Sequence, residues 1–160
     1  MSIMAKLDEM ADERRFPNNL RVYWNKKRGS RAFPAEQDID PDDLGLSWEY
    51  CFLVQVRDIL NVQDYNYTYL GEGIIRAYRG EIFDEHNESM IGPNAHALGK
   101  SFRKVMDTKA PMMEDGEFTS LAGRRIKYRQ CMLPVGDSDD AVEAIFGGIS
   151  FTWQDEAAGI

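Results

Sequence analysis

Four groups of residues in this chain are of types that do chemistry: two histidines, two cysteines, a cluster of bases and a cluster of acids. A histidine joined by further nitrogen, sulfur or carboxylate donors can hold a transition metal. His86 lies in the polar stretch DEHNES, and His96 lies in AHALGKSF. These settings share no ligand spacing, so the sequence predicts no metal site. Cys51 and Cys131 are too few and too far apart for a zinc pattern or a disulfide framework. They read as small buried hydrophobes. Asp137, Asp139 and Asp140 sit with Gly136 and Ser138 in a turn composition, where carboxylates are solvated turn formers. No Gly-x-Ser-x-Gly, phosphate loop or His-Glu-x-x-His occurs. The chain is therefore read as non-catalytic.

The basic cluster is the sharpest asymmetry. Arg14, Arg15, Arg21, Lys26, Lys27, Arg28 and Arg31 fall between Arg14 and Ala35 with no acid among them, in a chain of net charge -8. Lys26, Lys27, Arg28 and Arg31 are candidates for binding an anion or an acidic partner. The same side chains have two plainer uses. Bases near residues 26–28 favour a helix C-terminus by about 0.3–1 kcal/mol, and the acids of Asp38 to Asp43 are at hand for pairing.

These groups have to be positioned by a packed domain. A length of 160 residues favours one domain, and 43% hydrophobic with 29% charged residues allows a real core. The net negative charge disfavours nucleic-acid binding, because phosphate backbones are read by positive charge. No apolar run approaches the roughly 20 residues that cross a bilayer. The opening MSIMAKLDEM has acids and no signal-like apolar run, which predicts a cytoplasmic protein without membrane insertion.

Periodicity supplies the elements. Ile3, Leu7, Met10 and Ala11 share a helical stripe, which predicts a helix near residues 2–15. Phe16-Pro17-Asn18-Asn19 reads as a break, with Asn19 capping a second helix that carries Leu20, Tyr23 and Trp24 and stops at Gly29. Asp40-Pro41 reads as an N-cap followed by a first-turn proline. Alternation then predicts strands at 50–57 and 65–70, with DILNVQD as a hairpin between them. A short helical piece, IIRAY, follows Gly71 and Gly73. Residues 81–93 read as polar turns. Asn94 opens an amphipathic helix through Leu98, Phe102, Val105 and Met106, limited by Pro111. Strands follow at Glu117–Leu121, Ile126–Val135 and Val142–Trp153. This order predicts an α+β domain on an antiparallel sheet.

The last strand is apolar on both faces, so both faces need cover. The middle helix supplies one cover. The N-terminal helices or a second subunit supply the other, which makes a homodimer the expectation, with Leu7, Met10, Leu20, Tyr23 and Trp24 as contact candidates.

The element order resembles a PAS domain. More narrowly, the chain resembles a family of short bacterial single-PAS proteins, mostly alphaproteobacterial. Their N-terminal signature is matched by Tyr23-Trp24, Arg28-Gly29, Pro34 and Asp38-Ile39-Asp40-Pro41. The strand CFLVQV, the strand–helix stretch YNYTYLGEGIIRAYRG and Leu133-Pro134 continue the likeness, which covers about residues 20–153. Glu72 departs from the small polar residue usual after the strand–helix glycine.

The resemblance implies a five-stranded sheet with a helical middle segment, and an N-terminal helical extension. On it, residues 1–45 are the extension, 46–154 the PAS domain and 155–160 a tail. It also implies a sensory or regulatory module working through a protein partner in bacterial signal transduction. The alternative is a receptor for a small molecule or nucleotide, bound in the PAS cavity or at the basic N-terminal segment. Between inner sheet face and long helix, the cavity candidates are Phe52, Tyr67, Tyr69, Leu98, Phe102, Tyr128, Ile149 and Phe151. All eight are equally fit to fill a core. Haem is not expected, since His96 lies about 200° around the helix from Leu98 on a polar face. Flavin photochemistry is not expected, since neither cysteine falls in the helical middle. In the PAS strand order Cys51 and Cys131 stand about 9–10 Å apart, beyond the about 4.4–6.8 Å of a disulfide.

Overall fold

The computed structural model describes residues 15–56, 66–78, 95–119, 123 and 125–153, with backbone alone at 66, 78, 95–100, 118–119 and 153. The expected helix near 2–15, the DILNVQD connector, the stretch 81–93, Asn94 and the tail 155–160 lie outside the described residues. So do Leu7, Met10 and His86, and the side chains of His96 and Leu98.

Helix α1 runs Phe16–Arg28. It begins a turn earlier than the sequence reading placed it, because Pro17 starts the helix and does not break it. Proline fits the first turn, where its fixed φ is helical and its missing N–H had no partner to lose. Phe16, Leu20 and Trp24 recur at every fourth position and are all buried. Gly29, at φ 61°, ends the helix in the left-handed region. Lys26, Lys27 and Arg28 occupy its last turn, against the negative end of the helix dipole.

A collar follows. It consists of a 3-10 turn at Glu36–Asp38, helix α2 at Pro41–Leu44 and a 3-10 segment at Gly45–Tyr50. The Asp40 carboxylate caps α2 by accepting from the Asp42 amide at 2.9 Å, with Pro41 in the first turn, as the sequence predicts.

Strand β1 is Cys51–Gln55 and β2 is Asn66–Leu70. Helix α3 is Glu72–Tyr78 and α4 is Ala95–Thr108. Strands β3 (Met112–Thr119), β4 (Arg125–Val135) and β5 (Ala144–Trp153) complete the chain. The five strands form one antiparallel sheet in the order β2-β1-β5-β4-β3. The α+β class, the five-stranded sheet, the helical middle and the N-terminal helical segment are all observed. Helix α4 ends at Thr108 because Lys109 turns to φ 56°, before Pro111 is reached. Strand β3 begins five residues earlier than expected, since Met112 to Thr119 pair in register with Met132 to Arg125.

The central strand β5 organises both layers. Gly148 faces α1: a Cβ there would lie 2.2 Å from Leu20 Cδ1 and 3.0 Å from the Phe16 ring. Gly147 faces the other way, and its Cβ would meet the Phe52 ring at 2.4 Å and the Cys131 carbonyl oxygen at 2.3 Å. Adjacent glycines in a buried strand thus let α1 and Phe52 approach the backbone from opposite sides. The core is continuous across the sheet, joining Phe16, Leu20, Trp24, Phe33 and Ile39 to Phe102, Val105 and the strand residues.

Candidate functional site

The inner face is the side of the sheet under α4. Phe52 meets Phe102 edge-to-face at 6.0 Å and Tyr67 at 6.1 Å. Phe151 meets Tyr50 at 6.4 Å and pairs across strands with Tyr128. Ile149 shares this face with Gly147 and Phe151 by strand alternation. The structure thus brings together Phe52, Tyr67, Phe102, Tyr128, Ile149 and Phe151 from the sequence candidates.

Tyr69 is the exception. Tyr67 and Tyr69 are two apart and were expected on one face. The pairing of β1 with β2 shifts between Leu53 and Val54, where Tyr69 opposes Leu53 and Tyr67 opposes Val54. Thr68 is the extra residue of a β-bulge, and a bulge turns the side chains beyond it to the opposite face. Tyr69 therefore stacks on Trp48 at 4.3 Å on the outer face, and its hydroxyl donates to the Trp48 carbonyl at 2.8 Å. Burial raises its pKa, with Glu49 adding to the effect. It does not line the inner face.

Three polar residues that the sequence reading did not single out complete the inner face. Gln130, in the middle of β4, is 1% exposed. Its amide donates to Glu114 Oε1 at 2.9 Å, and Ser101 of α4 donates to Glu114 Oε2. This carboxylate thereby ties the helix to β3 and β4. A glutamine between Tyr128 and Met132 on one face of a strand was the signal available in the sequence. Burial raises the pKa of Tyr128, and the charge of Glu114 adds to it.

The outer face is sealed by α1 and the collar. The Trp24 indole donates to the Pro134 carbonyl at 2.8 Å. The Gly136 amide donates to Pro34 O at 3.0 Å, and the Ala32 amide donates to Asp139 Oδ1 at 2.9 Å. Asp139 of the acidic turn is thus a tether for the collar as well as a turn former. Leu20 and Trp24 are 2% and 4% exposed under their own sheet. Within the chain they are occupied by packing against the sheet. Tyr23 is half-buried; its hydroxyl donates to Asp43 Oδ2 at 2.9 Å and accepts from the Asp40 amide at 3.0 Å. Its pKa is pushed up to about 12, chiefly by burial.

The basic segment is largely paired. Lys27 meets Asp43 at 3.2 Å and Arg31 meets Asp38 at 2.9 Å. Asp38 is held below the usual carboxylate range first by the Ala35 amide and then by Arg31. Asp43 is lowered first by the Tyr23 hydroxyl and then by Lys27. Arg28 donates to Asn25 and to the carbonyls of Gly29 and Arg31, and lies 5.7 Å over the Trp24 ring. Lys26 is exposed. Lys27 and Arg31 are therefore neutralised by the collar acids, the plainer use of these bases, and the four candidates do not converge on one anion site.

Cys51 and Cys131 are buried free thiols that both register against Gly148 from opposite sides, one strand apart from it each. Among the described residues no group of three or more His, Cys, Asp or Glu comes together to hold a metal, and no helix is long and apolar enough to cross a membrane.

A five-stranded antiparallel sheet in this order, with helices between its second and third strands, meets a family comparison directly: the model of the PAS domain matches residues 14–150. The chain belongs to the PAS domain family. A PAS domain is a sensory or regulatory module, of a kind generally without catalytic activity. The match takes in α1 and the collar as well as the sheet. A comparison with curated proteins finds no match.

Proposed function

We propose that this PAS protein is a cytoplasmic, non-catalytic signalling module that relays through protein contacts, as a homodimer, in bacterial signal transduction. The observation that carries the reading is the clamp on the outer face. Trp24 to Pro134, Pro34 to Gly136 and Ala32 to Asp139 join the N-terminal segment to the end of β4 and the turn that leads into β5. A change in the sheet is therefore felt by the segment, and the reverse. Rigid elements joined by hydrogen bonds are a means by which coupling crosses a fold. In this reading residues 1–45 are the reporting arm, 46–154 the PAS body and 155–160 a tail.

A second reading is a small-molecule or nucleotide receptor. The Ser101–Glu114–Gln130 cluster favours it, because a polar group set among aromatic rings is how a pocket fixes a ligand's orientation.

Native mass spectrometry of the purified chain separates them. The relay reading expects a species of twice the 18.3 kDa chain mass with nothing retained. A monomer carrying extra mass through gentle desalting overturns it in favour of the receptor.

A further inference from the structure

We propose that the groove between α1 and the α4–β3 connector docks an acidic peptide segment of a partner protein. This deepens the reading of a module that acts through protein contacts, and rests on it. The groove has a volume of about 600 Å³ and is walled by Arg21, Val22 and Arg28 of α1 and by Lys109 and Pro111 of the connector, over the Trp24 ring.

Its charge is the first argument. Among the described residues three cations line it, and no carboxylate does. The neighbouring bases Lys27 and Arg31 are paired with Asp43 and Asp38. Among the described residues Arg21 and Lys109 make no ion pair, and the bonds of Arg28 go to Asn25 and to backbone carbonyls. An acidic chain thus gathers, among its described residues, three cations without a carboxylate around one groove. Uncompensated charge of one sign in a groove attracts the opposite charge and orients its approach.

Lys109 is the second argument. It is the only described residue other than glycine in the left-handed region, at φ 56°. Glycine takes that conformation without strain, so a lysine there holds its cation at the groove against the backbone's preference.

The third is the apolar surface between the charges. Val22 is 61% exposed, the most exposed large hydrophobic residue described. Cations alternating with Val22 and Pro111 fit an extended peptide whose carboxylates flank an apolar side chain. Three cations around one short groove are too few for the run of phosphate contacts that holds a nucleic acid, and suit a short peptide.

The test is a titration of the full chain into a fluorescein-labelled peptide, Glu-Asp-Leu-Asp-Glu, with a lysine-for-acid peptide as its counterpart. Saturable binding of the acidic peptide alone is expected. The double variant Arg21→Ala/Lys109→Gly should weaken it by about tenfold or more, as loss of two charge contacts does. Lys127→Ala, at an exposed lysine of β4 outside the groove, should leave binding unchanged. Lys109→Gly alone should weaken binding while holding or raising the melting temperature, since it relieves the left-handed strain; loss of binding is then not loss of fold.

Failure to saturate, or equal binding by the double variant, overturns the groove but leaves the relay reading intact. Full displacement of the peptide by an equal concentration of inorganic phosphate overturns it in favour of a small anion. A dimer in sedimentation that the double variant breaks makes the occupant a second copy and overturns a separate partner. Retained small-molecule mass in the native spectrum overturns the relay reading itself.

Discussion

The indole nitrogen of Trp24 donates a 2.8 Å hydrogen bond to the carbonyl oxygen of Pro134, a residue 110 positions further along the chain. Strand β3 begins opposite Met132, so Pro134 lies beyond the strand that covers that edge of β4. A proline is tolerated there because no ladder hydrogen bond is lost. The indole then satisfies a buried carbonyl and pins α1 across the sheet. Sequence places an amphipathic tryptophan on a short helix; packing buries it; the buried bond couples the segment to the sheet.

Trp24→Phe keeps most of the ring and removes the donor. Leaving the carbonyl unsatisfied should destabilise the fold by about 1–3 kcal/mol. Trp24→Ala also empties the site and should cost about 3–5 kcal/mol. Urea unfolding of the full chain measures both.

Gly148→Ala places a methyl 2.2 Å from Leu20 Cδ1. That atom is the far end of a side chain, so α1 can yield, and overpacking of this kind costs about 1–3 kcal/mol. Gly147→Ala meets the Cys131 carbonyl at 2.3 Å, and the backbone of β4 has no room to move. It should therefore be the more damaging of the two. Leu20→Ala should rescue part of the Gly148→Ala loss, so the double variant is more stable than the sum of the singles. A double-mutant cycle in urea checks this.

Stability should fall at alkaline pH. Burial pushes the Cys131 thiol from 9.0 up to about 12, and raises Cys51 well above its usual value with Cys131 adding to the effect. Tyr23 is raised from 10.0 to about 12 in the same direction. Each folded pKa lies above its unfolded value, so the contribution is whole below pH 9. It declines as pH climbs towards about 12, because the unfolded chain releases protons that the folded one keeps. Cys131→Ala should flatten the fall in urea midpoint without abolishing it. An equal slope in the variant would remove the thiol from the explanation.

The collar ion pairs should matter little to stability. Arg31 and Asp38 are 46% and 32% exposed, and an exposed pair contributes about 0–1 kcal/mol. Arg31→Ala should shift the urea midpoint slightly, and less still in high salt.

Much of this was legible in the sequence, for identifiable reasons. Asp40-Pro41 announces its helix because side-chain cap and first-turn proline are both local. The amphipathic run from Ala95 announces α4 because its period is unmistakable over fourteen residues. Non-local effects were hidden. The first five residues of β3, Met112 to Gly116, have a strand only because β4 runs beside them. The period of Tyr65, Tyr67 and Tyr69 is regular, yet the bulge opposite Leu53 and Val54 divides Tyr67 from Tyr69. Phe16-Pro17 has the composition of a break and the geometry of a start. The carboxylate that joins Ser101 to Gln130 comes from a strand the local pattern does not reveal.

The central claim is that the N-terminal segment and the sheet are one cooperative body. Hydrogen–deuterium exchange of the full chain, read by mass spectrometry, tests it most directly. The slowest amides of α1 (Phe16–Arg28) should exchange with the same opening free energy as those of β5 (Ala144–Trp153). Exchange of α1 within seconds, while β5 stays protected for hours, would show a segment that opens alone and would contradict the account.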